Sequence, residues 1–149
     1  MPPKKTKTNG DKPQKIEWEY NGETINKIEQ TPPDSFAFIY MITLLDGTDR
    51  YYIGKKYMYK PKYTSGAKKG QYKGIYAWQS YISSSVELKA LIKSGIPYKK
   101  EILFFTYSKA ETTYKETAEI LCGQHLTNPN CLNYWVKATI YSKHLKENS

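Results

Sequence analysis

A chain of 149 residues has room for one domain whose core holds it together without disulfide or metal staples. Its 23 Lys and Arg against 14 Asp and Glu leave a formal charge of +9, which attracts polyanions and makes nucleic acid the first partner to consider. The two cysteines, Cys122 and Cys131, fit neither a disulfide framework nor a paired-CxxC zinc site, and no run is apolar enough to span a bilayer. A cytoplasmic protein is therefore expected, in the host cytoplasm if the source is viral.

Residues 1–14 are rich in Pro and Lys and poor in apolar side chains, so they are expected to form a disordered basic tail. A domain over 15–136 follows. Ile16, Trp18 and Tyr20 alternate with Glu17 and Glu19 before Asn21-Gly22, the pattern of a β-hairpin, placed over 15–30. FAFIYMITLL (36–45) is a β-branched and aromatic run suited to a buried strand. Asp46-Gly47 turns it into a return strand over Arg50–Gly54, which puts Tyr40 and Tyr52 on neighbouring strands.

Residues 55–78 change character. Lys55, Lys56, Lys60, Lys62, Lys68, Lys69 and Lys73 interleave with tyrosines and little periodicity, which predicts a basic, aromatic loop able to meet phosphates with lysine and bases with rings. Ser84-Ser-Val-Glu87 has the form of a capping box, with Leu88, Leu91 and Ile92 at helical spacing and Ser94-Gly95 as the stop. A strand is expected over Tyr98–Thr106. Ser108-Lys-Ala-Glu111 then caps a helix to about Gln124, with Tyr114, Ala118 and Leu121 along one stripe. Asn128-Pro-Asn130 makes a turn, CLNYWV (131–136) returns to the core, and 137–149 form a polar C-terminal tail. The fold class is α/β (α+β): a small central antiparallel or mixed sheet flanked by helices, with the hairpin in front.

On the helix after Ser108, Glu111 and Glu119 each have Lys115 four residues away, an ordinary surface pairing, whereas Glu116 has no cation at helical spacing and is free to face the sheet. His125 and His144 are expected to be solvated or helix-capping.

The two strands carry Phe38-Ile-Tyr40, eleven intervening residues, then Tyr52-Ile-Gly54, and this pair resembles the signature of GIY-YIG endonucleases. Residues 83–103 look like the helix-Gly-strand portion of phage-type, homing-endonuclease-like members, and 16–25 are similar to a hairpin that some of them carry. A literal Gly74-Ile75-Tyr76 with Tyr81-Ile82-Ser83 leaves only four residues between its halves, too few for two strands and a turn. The resemblance implies Mg²⁺-dependent hydrolysis of double-stranded DNA, with Mn²⁺ as a substitute ion, by a monomer or homodimer. Glu116 would hold the metal, and Tyr40 and Tyr52 would take or relay a proton. Lys55 and Lys56 would assist them. Lys60, Lys62, Lys68, Lys69, Lys73 and Asn133 would bind DNA.

Two departures from the family pattern stand out. Phe38 replaces the first motif's Gly, and the family's arginine on the helix after the second motif has no counterpart, since the sole arginine, Arg50, precedes that motif. Lys55, Lys56 and Lys62 are candidates to replace it, though lysine offers a point charge where arginine offers a rigid fork of donors. A non-catalytic DNA- or RNA-binding protein on the same fold is the alternative.

Overall fold

The computed structural model of the protein describes residues 15–136 and 138–146. The expected basic tail over 1–14 lies outside them. The chain opens with β1 (Trp18–Tyr20) and β2 (Glu23–Ile25), joined through Asn21 and Gly22. Both turn residues have positive φ, 50° and 81°, as a tight hairpin with the native strand twist requires.

Next come β3 (Ala37–Leu44), β4 (Tyr51–Tyr57), α1 (Val86–Lys93), β5 (Tyr98–Thr106), α2 (Lys109–Cys122) and a short α3 (Ser142–Lys146). The five strands form one mixed sheet in the order β2-β1-β5-β3-β4. β1 runs parallel to β5, and the other neighbouring strands are antiparallel. An α/β architecture with a leading hairpin is thus what forms.

β3 reads as an almost unbroken apolar run because both its faces are covered. Phe38, Tyr40, Ile42 and Leu44 point to one side, where Trp18, Trp78, Phe105 and Leu88 of α1 complete the larger core. Ile39 points to the other side and packs with Ile53 of β4 and Ile120 of α2. Trp18 and Trp78 are fully buried, and truncating a residue of that size to Ala costs about 3–5 kcal/mol.

Several elements differ from expectation. β4 continues to Tyr57, so Lys55 and Lys56 belong to a strand and not to the basic loop. Pairing with β3 from Ala37 to Thr43 holds the strand together past the motif. The α1 cap is Ser85, whose hydroxyl accepts from the Leu88 N–H, because the Ser83 hydroxyl accepts from the Ser85 N–H and delays the helix by one residue. On α2 the stripe is different too. Thr112 and Ile120 are buried while Tyr114 and Leu121 are half exposed, a helix phase set by the Ser108 cap and by a hydroxyl bond between Thr112 and Thr106 of β5. Part of the expected polar C-terminal tail forms α3.

Candidate active site

β4 is an edge strand, and half of its backbone groups have no strand partner. The 130–133 segment covers the start of that edge. The Tyr51 N–H donates to the Asn130 carbonyl (3.0 Å), and the Leu132 N–H donates to the Tyr51 carbonyl (2.7 Å). The Asn133 amide completes the pairing by accepting from the Ile53 N–H (2.9 Å) and donating to the Ile53 carbonyl (2.8 Å). Asn133, expected at DNA, thus has its amide engaged with β4.

Beyond Asn133 the edge opens into a cavity of about 540 Å³ between α1, α2 and residues 132–136. Tyr52, Lys55, Glu116 and Asn133 all line it, and so does Glu87 of α1. Glu116 arrives there because it sits four residues from each of the two buried positions on α2, Thr112 and Ile120. Burial raises its carboxyl pKa above the ordinary carboxylate value, and the Lys55 ammonium partly offsets the effect. Lys55 in turn donates to the Thr113 hydroxyl at 3.2 Å. The Glu116 carboxylate accepts no hydrogen bond and forms no ion pair among the described residues. Lys115, expected to pair with Glu111 and Glu119, instead lies over the Phe104 ring, and Glu119 faces His125 at 3.9 Å.

The two signature tyrosines differ in access. Tyr52 is half-buried at the cavity, next to the Ser83 and Ser84 side chains and within the field of Glu116; burial chiefly raises its pKa. Tyr40 is 1% exposed, wedged among Trp18, Tyr52 and Tyr81, with its hydroxyl 3.5 Å from the Ser83 oxygen. Burial and the neighbouring Tyr81 hold its pKa well above that of an ordinary phenol. Of the lysines expected to ease its ionisation, Lys56 rests its ammonium on the Tyr76 and Tyr81 rings, at 4.5 and 4.4 Å, and Lys55 bonds to Thr113.

Tyr40 also explains the glycine of the second motif. Gly54 pairs directly with Tyr40 across β3 and β4, and a Cβ at Gly54 would overlap the Tyr40 hydroxyl. The sheet register shifts between Ile39 and Tyr40, so the motif tyrosine follows a local irregularity of β3. By contrast Gly74-Ile75-Tyr76 and Tyr81-Ile82-Ser83 form no strand pair, as their spacing foretold.

A match over residues 18–139 links this geometry to known proteins: the family model described as "Putative endonuclease segE, GIY-YIG domain" covers most of the chain. The chain belongs to the GIY-YIG endonuclease family. It therefore carries a nuclease domain, with the two motif tyrosines on paired strands. Neither the comparison with curated proteins nor that with solved structures returned a match.

The lysines beyond β4 occupy a different place from this cavity. Bridges Tyr59↔Ile75 and Lys62↔Tyr72 fold residues 58–76 into a two-stranded ribbon with its tip near Gly66. The expected loop is therefore regular. Lys60, Lys62, Lys68 and Lys73 are exposed along it and lie over the rings of Tyr76, Tyr72, Tyr63 and Tyr63 respectively, and Lys69 sits near the tip.

Sequence reasoning missed Glu87, Ser83 and Ser84, whose place in the site depends on how α1 docks. It also missed the surroundings of His125, whose ring bonds to the Tyr51 hydroxyl at 2.5 Å. No group of three His, Cys, Asp or Glu that could hold a metal occurs among the described residues. A metal site here would rest on Glu116 with ligands from substrate and water. That fits Mg²⁺, which commonly binds through one or two carboxylates and keeps several waters. Among the described residues no helix is long and apolar enough to cross a membrane.

Proposed function

We propose that this GIY-YIG protein is a divalent-metal-dependent DNA endonuclease whose scissile phosphate sits in the cavity at the β4 edge. The observation that carries this reading is the half-buried Glu116 carboxylate, which among the described residues makes no hydrogen bond and no ion pair, and which shares that cavity with Tyr52 and with Lys55, whose charge acts on it. A carboxylate held this way is costly unless a cation joins it. Glu116 is the residue that would hold the metal. When bound there, a divalent cation neutralises phosphate charge and makes water acidic enough to attack phosphorus.

The chain's own groups supply the rest. Lys55, tied to α2 through Thr113, brings a fixed positive charge to the phosphate in place of the family's arginine. Tyr52 has a raised pKa and stays protonated at neutral pH, so it acts as a donor and relay and not as a free phenolate. Tyr40, shut away from the cavity, acts on Tyr52 and Ser83 as a positioning residue, and Lys56 holds Tyr81 against it. Asn133 fixes the cavity wall, and the ribbon lysines contact phosphates of the duplex beyond the cut.

A second reading, a binder without chemistry, is favoured by one observation: among the described residues Lys55 is the sole cationic side chain lining the cavity. Incubation of supercoiled plasmid with Mg²⁺ or Mn²⁺ separates the two. Wild-type protein is expected to yield nicked and linear DNA, and Glu116→Gln to bind without cutting. Wild-type protein that retards plasmid yet leaves it intact with either ion would leave only the binder.

A further inference from the structure

Residues 131–136 were expected to return to the core, and only some of them do. Cys131 and Leu132 are buried, whereas Tyr134 and Trp135 are each 71% exposed. The other two tryptophans, Trp18 and Trp78, are fully buried. The exposed pair is held in place on both sides. Asn133 is bonded to Ile53 just before it, and Val136 packs on the second core just after it. The Tyr134 hydroxyl donates to the Glu87 carboxylate at 2.6 Å, tying the segment to the first turn of α1.

Both rings border the same cavity as Glu116, Tyr52 and Lys55. Lys55 brings a positive charge into the cavity, while Arg50, the sole arginine, is paired with Asp46 at 3.2 Å and acts on Tyr134 from outside it. The occupant that suits this rim has a flat apolar face joined to an anion, which describes a nucleotide whose phosphate lies in the cavity. A base stacked within an intact duplex has its faces covered by its neighbours. Only a base that has left the stack can offer a face to a ring on the rim.

We propose that Trp135, with Tyr134 beside it, forms a stacking platform for an unpaired nucleobase next to the scissile phosphate, so that the preferred substrate is DNA with locally unpaired bases. This rests on the nuclease reading above and narrows its substrate class. Lys55 attracts the backbone, and the platform selects the strand that is already open.

Because Trp18 and Trp78 are buried, quenching of tryptophan emission by DNA reports on Trp135. Wild-type protein in EDTA, where no cutting occurs, is titrated with a short duplex and with the same duplex carrying a few unpaired bases; anisotropy of labelled DNA gives total binding. The unpaired DNA is expected to quench emission and to bind about tenfold more tightly, as one base–aromatic stack supplies. Trp135→Ala should keep the wild-type melting temperature, lose the quench and bind both DNAs alike, and Trp135→Phe should restore part of the preference.

The platform is overturned if Trp135→Ala keeps the preference, or if wild type binds both DNAs equally. It is also overturned if emission shifts with protein concentration alone, since a second copy then covers the ring. In these cases the nuclease reading stands. Absence of any DNA binding by anisotropy would overturn both.

Discussion

The cavity at the β4 edge and the ribbon that follows it draw on the same residue types, lysine and tyrosine, yet their settings differ. On the ribbon the lysines are solvated, and four of them lie over tyrosines of the same ribbon. In the cavity Lys55, Glu116 and Tyr52 share a partly desolvated space, and burial raises the pKa of both Glu116 and Tyr52. Density of charge provides grip, while burial of a few charges provides chemistry.

The sharpest way to break that contrast is Glu116→Gln. Cleavage is expected to fall on the order of 10³-fold, with DNA affinity changed less than about twofold. The same variant should be the more stable protein at neutral pH. The raised Glu116 pKa means that the folded state holds a proton the unfolded state releases. Wild-type stability therefore falls as pH rises from the ordinary carboxylate range through the raised value, and Gln escapes that loss. A melting temperature a few degrees higher at pH 7, converging with wild type in acid, is the expected calorimetric result. A variant that loses stability at pH 7 would place Glu116 in a structural role.

Gly54→Ala tests the wall of the cavity. Its Cβ would collide with the Tyr40 hydroxyl, so either the ring or the β3–β4 pairing must give way, at a cost of roughly 1–3 kcal/mol. Tyr52 and Lys55 flank the site, and cleavage should drop roughly 10- to 100-fold. Denaturant melts and initial rates measure the two effects separately. Full activity in Gly54→Ala would show that Tyr40 has room to move.

On the ribbon the outcome should invert. The combined change Lys62→Gln, Lys68→Gln and Lys69→Gln is expected to weaken binding while leaving the rate at saturating DNA within about twofold. The salt dependence of binding should lose a slope of roughly 0.9 for each phosphate contact removed. An unchanged slope would detach the ribbon from DNA.

The smallest effect concerns Lys100. It is 2% exposed, donates to the Gln79 carbonyl at 3.0 Å and lies over the Trp18 ring, with burial lowering its pKa to about 8. A lysine pKa lowered in the fold makes the unfolded state bind more protons, so wild-type stability should gain as pH rises above 8. Lys100→Met should lack that gain, seen as a flatter dependence of melting temperature between about pH 8 and 10.

Local signals in the chain were sufficient for most of the strands, while the extension of β4 to Tyr57 depended on its pairing with β3. Period-two alternation ending in Asn21-Gly22 specified the hairpin, and the boundaries Tyr98–Thr106 of β5 emerged from the residues alone. The paired motif was legible because Tyr40 and Tyr52 need only strand spacing and one turn to become neighbours. Glu116 stood out by the absence of a cation at helical spacing, a purely local fact.

What only tertiary structure decided was how far each group is from water. Tyr40 and Tyr52 look equivalent in the sequence, but β3 is central and β4 is an edge, so one hydroxyl is shut in and the other reaches the cavity. The order of strands in the sheet comes from long-range packing that no local pattern encodes. Lys55 and Lys56 are adjacent residues on opposite faces of β4, and only the elements covering each face send one to Glu116 and the other to tyrosine rings. Tyr134 and Trp135 looked like core by hydrophobicity. Asn133 turned them outward by engaging β4, since a strand edge must find hydrogen-bond partners before an apolar pair can choose where to pack.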